Sequence, residues 1–129
     1  MAQWKMFLQA YVAAESYEQA FPVAENLIRT VRPIAGITDC RISPYYKFED
    51  QYGVCLLLEA DDMPEAWRAL QPILAADWHV GGDETNRHAI WDHRLNGPCP
   101  IRAARWFNLE LYATGELDDL EKDEPEHLG

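Results

Sequence analysis

The order of apolar patterns along the chain predicts an α+β fold. Three observations carry that prediction: an alternating apolar stretch at the start, two amphipathic helical patterns each opened by a capping residue, and a long alternating stretch near the end. Alternation places successive side chains on opposite faces of a strand, whereas apolar residues three and four apart make one stripe of a helix.

From Trp4 to Val12 the residues Trp4, Met6, Leu8, Ala10 and Val12 share one face, with Lys5, Gln9 and Tyr11 on the less buried one. This pattern, interrupted by Gln9 and with Lys5 its one positive side chain, reads as a strand and not as an export signal. Ser16 and Gln19 have the spacing of a capping box, and Ala20, Ala24, Leu27, Ile28 and Val31 form the stripe of a first helix ending by Arg32. Pro22 removes a helix hydrogen bond, so this helix is expected to start near Phe21.

A second strand is expected from Ile37 to Tyr46, a polar turn from Lys47 to Tyr52, and a third strand from Gly53 to Ala60. The run Val54-Cys55-Leu56-Leu57-Leu58 predicts burial on both faces of that third strand. Asp62 and Glu65 open a second helix with Pro64 in its first turn; Trp67, Leu70, Ile73 and Leu74 form its inner face, and Pro72 ends or bends it.

Beyond Ala76 the pattern gives Trp78 to Val80, a Gly81-Gly82-Asp83 turn, a strand from Asn86 to Arg94, a Gly97-Pro98 turn and a strand from Ile101 to Tyr112. In this last strand Ile101, Ala103, Phe107, Leu109 and Leu111 are placed on one face, with Arg105 as the exception. The resulting order, β-α-β-β-α-β with an added C-terminal antiparallel strand or hairpin, is that of a ferredoxin-like sandwich, whose sheet has helices on one face and the other face open.

With 129 residues, 48% of them hydrophobic and 12% aromatic, the chain has material for one core. Residues 1–113 are read as one domain and 114–129 as an acidic, flexible tail. The net charge of -11 includes a tail from Gly115 onward with seven acids against Lys122 alone. Such a charge repels phosphate backbones and anionic lipid and attracts basic proteins, which argues against direct nucleic-acid or membrane binding. Three cysteines, Cys40, Cys55 and Cys99, have no zinc-like spacing and cannot all pair within the chain, which fits a reducing, cytoplasmic compartment. Cys40 and Cys55 are expected in the core, and Cys99, between two prolines, is expected to be exposed.

No catalytic set emerges. There is no P-loop, no GxGxxG and no HExxH, and no cofactor or metal is expected. His79, Asp83, His88, Asp92 and His93 lie close in sequence, but on a strand His93 points away from His88 and Asp92. The acidic pairs Glu49-Asp50, Asp61-Asp62 and Asp83-Glu84 fall in turns or at a helix start, where they project outward. The final hairpin places Arg87, Arg94, Arg102 and Arg105 among Trp91, Trp106 and Tyr112, the composition of an interface core.

These features predict a non-enzymatic protein-binding module that neutralises or regulates a basic partner. In size, charge and lack of catalytic motif the chain is similar in general character to small acidic immunity proteins that block nuclease toxins. The expected contact residues are Glu49, Asp50, Asp61, Asp62, Asp83, Glu84, Arg102, Trp106 and Tyr112, with a homodimer through the open sheet face as a further expectation. The alternative is a small dimeric enzyme or small-molecule sensor with a pocket between sheet and helices, its titratable groups being His79, His88, Asp92 and Tyr45 or Tyr46.

Overall fold

The alternating residues from Trp4 form strand β1 (Trp4–Ala13), in which Met6, Leu8, Ala10 and Val12 are fully buried while Phe7, Gln9 and Tyr11 are half-buried. The computed structural model describes residues 3–114. After β1 follow α1 (Tyr17–Val31), β2 (Gly36–Pro44), β3 (Gln51–Glu59), α2 (Met63–Leu74), β4 (His79–Gly82), β5 (Asn86–Asp92) and β6 (Ala104–Ala113). The strands make one six-stranded sheet in the order β2-β3-β1-β6-β5-β4, and every neighbouring pair is antiparallel.

This order corrects the expected ferredoxin-like layout. The strand that follows α2 does not pair with β1; it forms the far edge of the sheet, and the C-terminal strand takes the place beside β1. The reason lies in the two segments. Strand β4 is four residues, His-Val-Gly-Gly, with hardly any buried side chain, so it has nothing to contribute to a central position. Strand β6 is ten residues long with Phe107, Leu109 and Leu111 fully buried, which matches the buried row of β1. The added strands therefore extend the sheet beyond β6 as β5 and β4, not at the C-terminus.

Both helices cover the face that carries Met6, Leu8, Leu56, Phe107 and Leu109. Ala20, Ala24, Leu27 and Val31 of α1 and Ala66, Trp67, Leu70 and Leu74 of α2 are buried against it. Burying a side chain of Leu or Phe size stabilises by about 1.5–3 kcal/mol, so this single layer of contacts is the main source of fold stability. The indole Nε1 of Trp67 donates to the Leu109 carbonyl at 2.9 Å, tying α2 to the middle of β6. Trp78 stacks on Phe107, and its Nε1 donates to the carbonyls of Gln71 and Ala75 at the end of α2.

The helix starts follow their caps. Ser16 accepts from the Gln19 N–H at 3.2 Å, and Asp62 from the Glu65 N–H at 3.1 Å. Helix α1 therefore begins at Tyr17 and not near Phe21. Pro22 is accommodated inside the helix because the carbonyl it leaves without an N–H partner belongs to the exposed Glu18 on the first turn. Pro72 likewise lies within α2, which runs on to Leu74.

Three further expectations are corrected. Strand β3 is paired on both sides, yet only alternate residues, Tyr52, Val54, Leu56 and Leu58, are buried; Leu57 is exposed, because no element among the described residues covers the second face of the sheet. Cys40 lies exposed on the edge strand β2, whereas Cys99 is half-buried and its thiol donates to the Leu74 carbonyl at 2.9 Å. Thr114, assigned to the tail by composition, is buried and its N–H bonds the Gln3 carbonyl at 2.7 Å, so it belongs to the fold. The acidic segment beyond it lies outside the described residues.

Replacing Trp67 by Phe leaves the Leu109 carbonyl without its side-chain donor and should destabilise the fold by about 1–3 kcal/mol. Urea denaturation followed by far-ultraviolet circular dichroism measures this. A change below about 0.5 kcal/mol, the size of an ordinary surface substitution, would contradict the anchoring role.

Candidate functional site

Strand pairing fixes what the uncovered face presents. Across the sheet run the rows Leu57, Phe7, Glu110 and His88; Cys55, Gln9, Asn108 and Ile90; and Gly53, Tyr11, Trp106 and Asp92. Tyr112 lies opposite Asn86 and Lys5 at the end of the face. Phe7 and Tyr112 meet edge-on at 6.3 Å.

The charge on this face is balanced. Residues 1–114 hold fifteen acids and ten bases. Register and cleft lining place Asp39, Glu59, Asp92 and Glu110 with Lys5, Arg41, Arg94 and Arg105 on the open side. The excess negative charge of the folded part therefore lies on the helices and turns around a neutral face.

At the end of the face near the β2–β3 and β5–β6 loops, a cleft of about 560 Å³ is lined by Tyr11, Tyr45, Phe48, Gln51, Asp92, His93, Arg94, Arg105 and Trp106. Its floor and one wall are aromatic. Tyr11 and Tyr45 stack with centroids 4.0 Å apart and planes 17° apart, Trp106 lies 5.1 Å from Tyr11, and Phe48 lies 5.7 Å from Tyr45. Tyr45 comes from the end of β2 and reaches Tyr11 across β3, where the intervening residue is Gly53. A Cβ on Gly53 would sit 3.5 Å from the Tyr11 ring and 3.7 Å from Ser43, in the space between the two strands.

The other wall is polar. Asp92 accepts from the Arg94 guanidinium at 3.0 and 3.2 Å and from the Arg94 N–H at 2.9 Å. These hydrogen bonds from Arg94 hold the Asp92 carboxyl below the usual carboxylate range, against the opposing effect of its burial. The His93 Nδ1 lies 3.0 Å from the Arg105 carbonyl, which can only accept, so Nδ1 carries the proton in that hydrogen bond. Burial, with the neighbouring Tyr45 and Tyr46 hydroxyls, raises the Tyr11 pKa, and Tyr11 stays neutral at physiological pH.

Arg105 owes its place to a break in register. Tyr11 pairs with Trp106 but Val12 pairs with Ala104, so Arg105 is the extra residue of a β-bulge. The bulge also inverts the expected alternation: Ala104, not Ala103, is buried on the same side as Phe107. One guanidinium nitrogen, Nη1, donates to the carbonyls of Arg102 and Ala104 at 3.1 and 3.2 Å. Among the described residues Arg105 has no carboxylate partner.

The expected contact residues are not brought together. Glu49 and Asp50 sit in the β2–β3 turn, while Asp61, Asp62, Asp83 and Glu84 lie at the opposite end of the sheet, a strand length of roughly 30 Å away. All six are exposed. Two of these carboxylates serve their own backbone: Asp62 caps α2, and Asp83 accepts from the Thr85 hydroxyl and the N–H groups of Thr85 and Asn86, which lowers its pKa. Trp106 and Tyr112 are on the open face as expected, and Arg102 is exposed in the loop before β6. Trp91 and Arg87 are not on that face. Trp91 is buried on the opposite face, 5.1 Å from the Phe107 ring and with its Nε1 donating to the Gly97 carbonyl, and Arg87 lies over the Trp4 ring.

The alternative pocket is also displaced. The cleft that gathers Tyr45 and Asp92 opens on the uncovered face, not between sheet and helices, and His79 and His88 do not line it. Among the described residues no group of three His, Cys, Asp or Glu is placed to hold a metal ion. Sequence reasoning missed Tyr11, Phe48 and Gln51 as site residues and placed Arg105 without seeing the bulge. The break in alternation at Arg105 was the one available signal.

Asp92 generates a pH prediction. Its folded-state pKa is depressed, so its contribution is present above the unfolded value of about 3.9 and is lost as pH falls through the depressed value. The stability gap between the native chain and Asp92→Asn should therefore be full at neutral pH and close in strong acid, read from urea midpoints across pH. A gap that widens on acidification would contradict the assignment. A second prediction concerns Gly53→Val, which should push Tyr45 off Tyr11 and reduce the near-ultraviolet dichroism of the stacked rings; an unchanged spectrum would show that the glycine is not what admits Tyr45.

No protein-family model, curated protein or solved structure gives a significant match to this chain.

Proposed function

We propose that the chain is a protein-binding module and that a basic partner seats on the open face of its sheet. The observation that supports this reading is the uncovered, charge-balanced face carrying Phe7, Tyr11, Leu57, Ile90, Trp106 and Tyr112 in an otherwise acidic molecule. Large aromatic side chains on rigid strands lose little entropy on docking.

The acids have a separate part in this reading. Glu49 and Asp50 at one end, and Asp61, Asp83 and Glu84 at the other, frame the face as a negative rim. A rim of one sign steers an oppositely charged protein and raises its association rate, while the buried centre sets the dissociation rate. A nuclease, whose nucleic-acid cleft must be basic, is the class of partner that fits such a rim. A cytoplasmic site of action agrees with the three free cysteines, and no helix among the described residues is long and apolar enough to cross a membrane.

The balance of charge on the face supports a second occupant, another copy of this chain. Two molecules of net charge -11 repel, and the neutral face is where a copy meets the least like charge. Sedimentation of the isolated chain separates the two: a monomer leaves the face to a foreign partner.

The test is kinetic. With a captured basic partner, Trp106→Ala should raise the dissociation rate by roughly 30-fold or more, the effect of a hot-spot residue of about 2 kcal/mol. Asp61→Lys with Glu84→Lys should slow association, most strongly at low salt, and leave dissociation nearly unchanged. Unaltered kinetics in Trp106→Ala, with binding lost on changing exposed residues of α1 such as Glu18 and Glu25, would overturn the reading.

A further inference from the structure

We infer that the cleft between Tyr45 and Arg105, at one end of the open face, is a small-molecule site, and that its ligand is a planar aromatic ring bearing a carboxylate. The inference goes beyond protein docking on the open face and concerns the isolated chain.

Volume, rings and charge point to this ligand class together. The cleft of about 560 Å³ is of the size of small-molecule pockets. Its aromatic side is continuous from Trp106 through Tyr11 and Tyr45 to Phe48. Because Tyr11 and Tyr45 already stack face to face, a ligand ring meets the free side of Trp106 and the edges of the other rings, an arrangement that rings favour.

The polar side has a definite sign. Asp92 neutralises Arg94 through two hydrogen bonds, so Arg105 supplies an excess positive charge on the wall. Its Nη1 is engaged by the carbonyls of Arg102 and Ala104, which fixes the guanidinium plane, while its other N–H donors have no partner among the described residues. A planar donor fork held by backbone is matched by a carboxylate, which accepts two parallel hydrogen bonds. The Gln51 amide, also in the lining, adds a neutral donor. A cationic ligand would meet this excess charge, and a neutral ring would leave the Arg105 donors unpaired as water was displaced.

The bulge makes the arrangement specific. Without the extra residue, the side chain at 105 would point into the helix-covered core, where Ala104 and Phe107 lie; the slip in register turns it toward Trp106 and the cleft.

The experiment titrates the isolated full-length chain with indoleacetate, indoleacetamide and acetate, followed by amide and indole N–H resonances. Indoleacetate should bind saturably, with shifts centred on Trp106, Gly53 and Arg105. Indoleacetamide, which keeps the ring and loses the charge, should bind about tenfold more weakly or worse, and acetate should not saturate. Tyr45→Ala should weaken indoleacetate binding, and Arg105→Gln should reduce it to the level of the amide; the comparison among the three probes on the native chain does not depend on either variant folding. Equal binding of acid and amide, shifts centred away from the cleft, or no saturable binding of the acid would overturn the inference.

Discussion

Everything in this molecule hangs on the double pairing of β1. It is hydrogen-bonded along nearly its whole length to β3 on one side and to β6 on the other, and its inner side chains from Met6 to Val12 have no exposure. A strand so placed divides the sheet into two faces of different fate. The inner row demands cover, which α1 and α2 supply. The outer row, Phe7, Gln9 and Tyr11, is mixed in character and half-buried, and no described element covers it. The long, apolar β6 takes the seat beside β1, and this excludes the short, glycine-rich β4 from the centre.

On that frame, two small irregularities build the cleft. Gly53 is the β3 residue between the strands that carry Tyr11 and Tyr45, and the bulge at Arg105 swings a cation to the same end of the face. Both act on direction, one by leaving space and the other by changing which side of the strand a side chain leaves from. The same bulge carbonyl receives the His93 ring, so the β5–β6 loop is tied to the register break that shapes the wall.

The local elements were legible in the chain because their causes are local. Ser16 and Asp62 accept the backbone N–H groups that their spacing to Gln19 and Glu65 predicted, and the alternation from Trp4 to Val12 gave the inner face of β1 correctly. What could not be read was non-local. Which of the last three strands pairs with β1 depends on matching buried surface across the sheet, and the order of elements alone suggested the wrong neighbour. The apolar run of β3 suggested cover on both faces, while Cys55 and Leu57 are half-buried and exposed. Composition and alternation placed Trp106 and Tyr112 on the open face, whereas the union of Tyr11, Tyr45 and Arg105 required the register of three strands and a bulge.

Carboxylates ring the ends of the sheet, while aromatics and balanced charge occupy the open face between them. The central claim is that the open face, and not the acidic helical side, is what a partner covers. Hydroxyl-radical footprinting of the chain, free and in its complex, addresses it directly, since oxidisable rings lie on both sides of the molecule. The account predicts that Phe7, Tyr11, Trp106 and Tyr112 lose reactivity in the complex while the exposed Tyr17 and Phe21 of α1 keep theirs. Protection of Tyr17 and Phe21 with unchanged reactivity on the open face would contradict it.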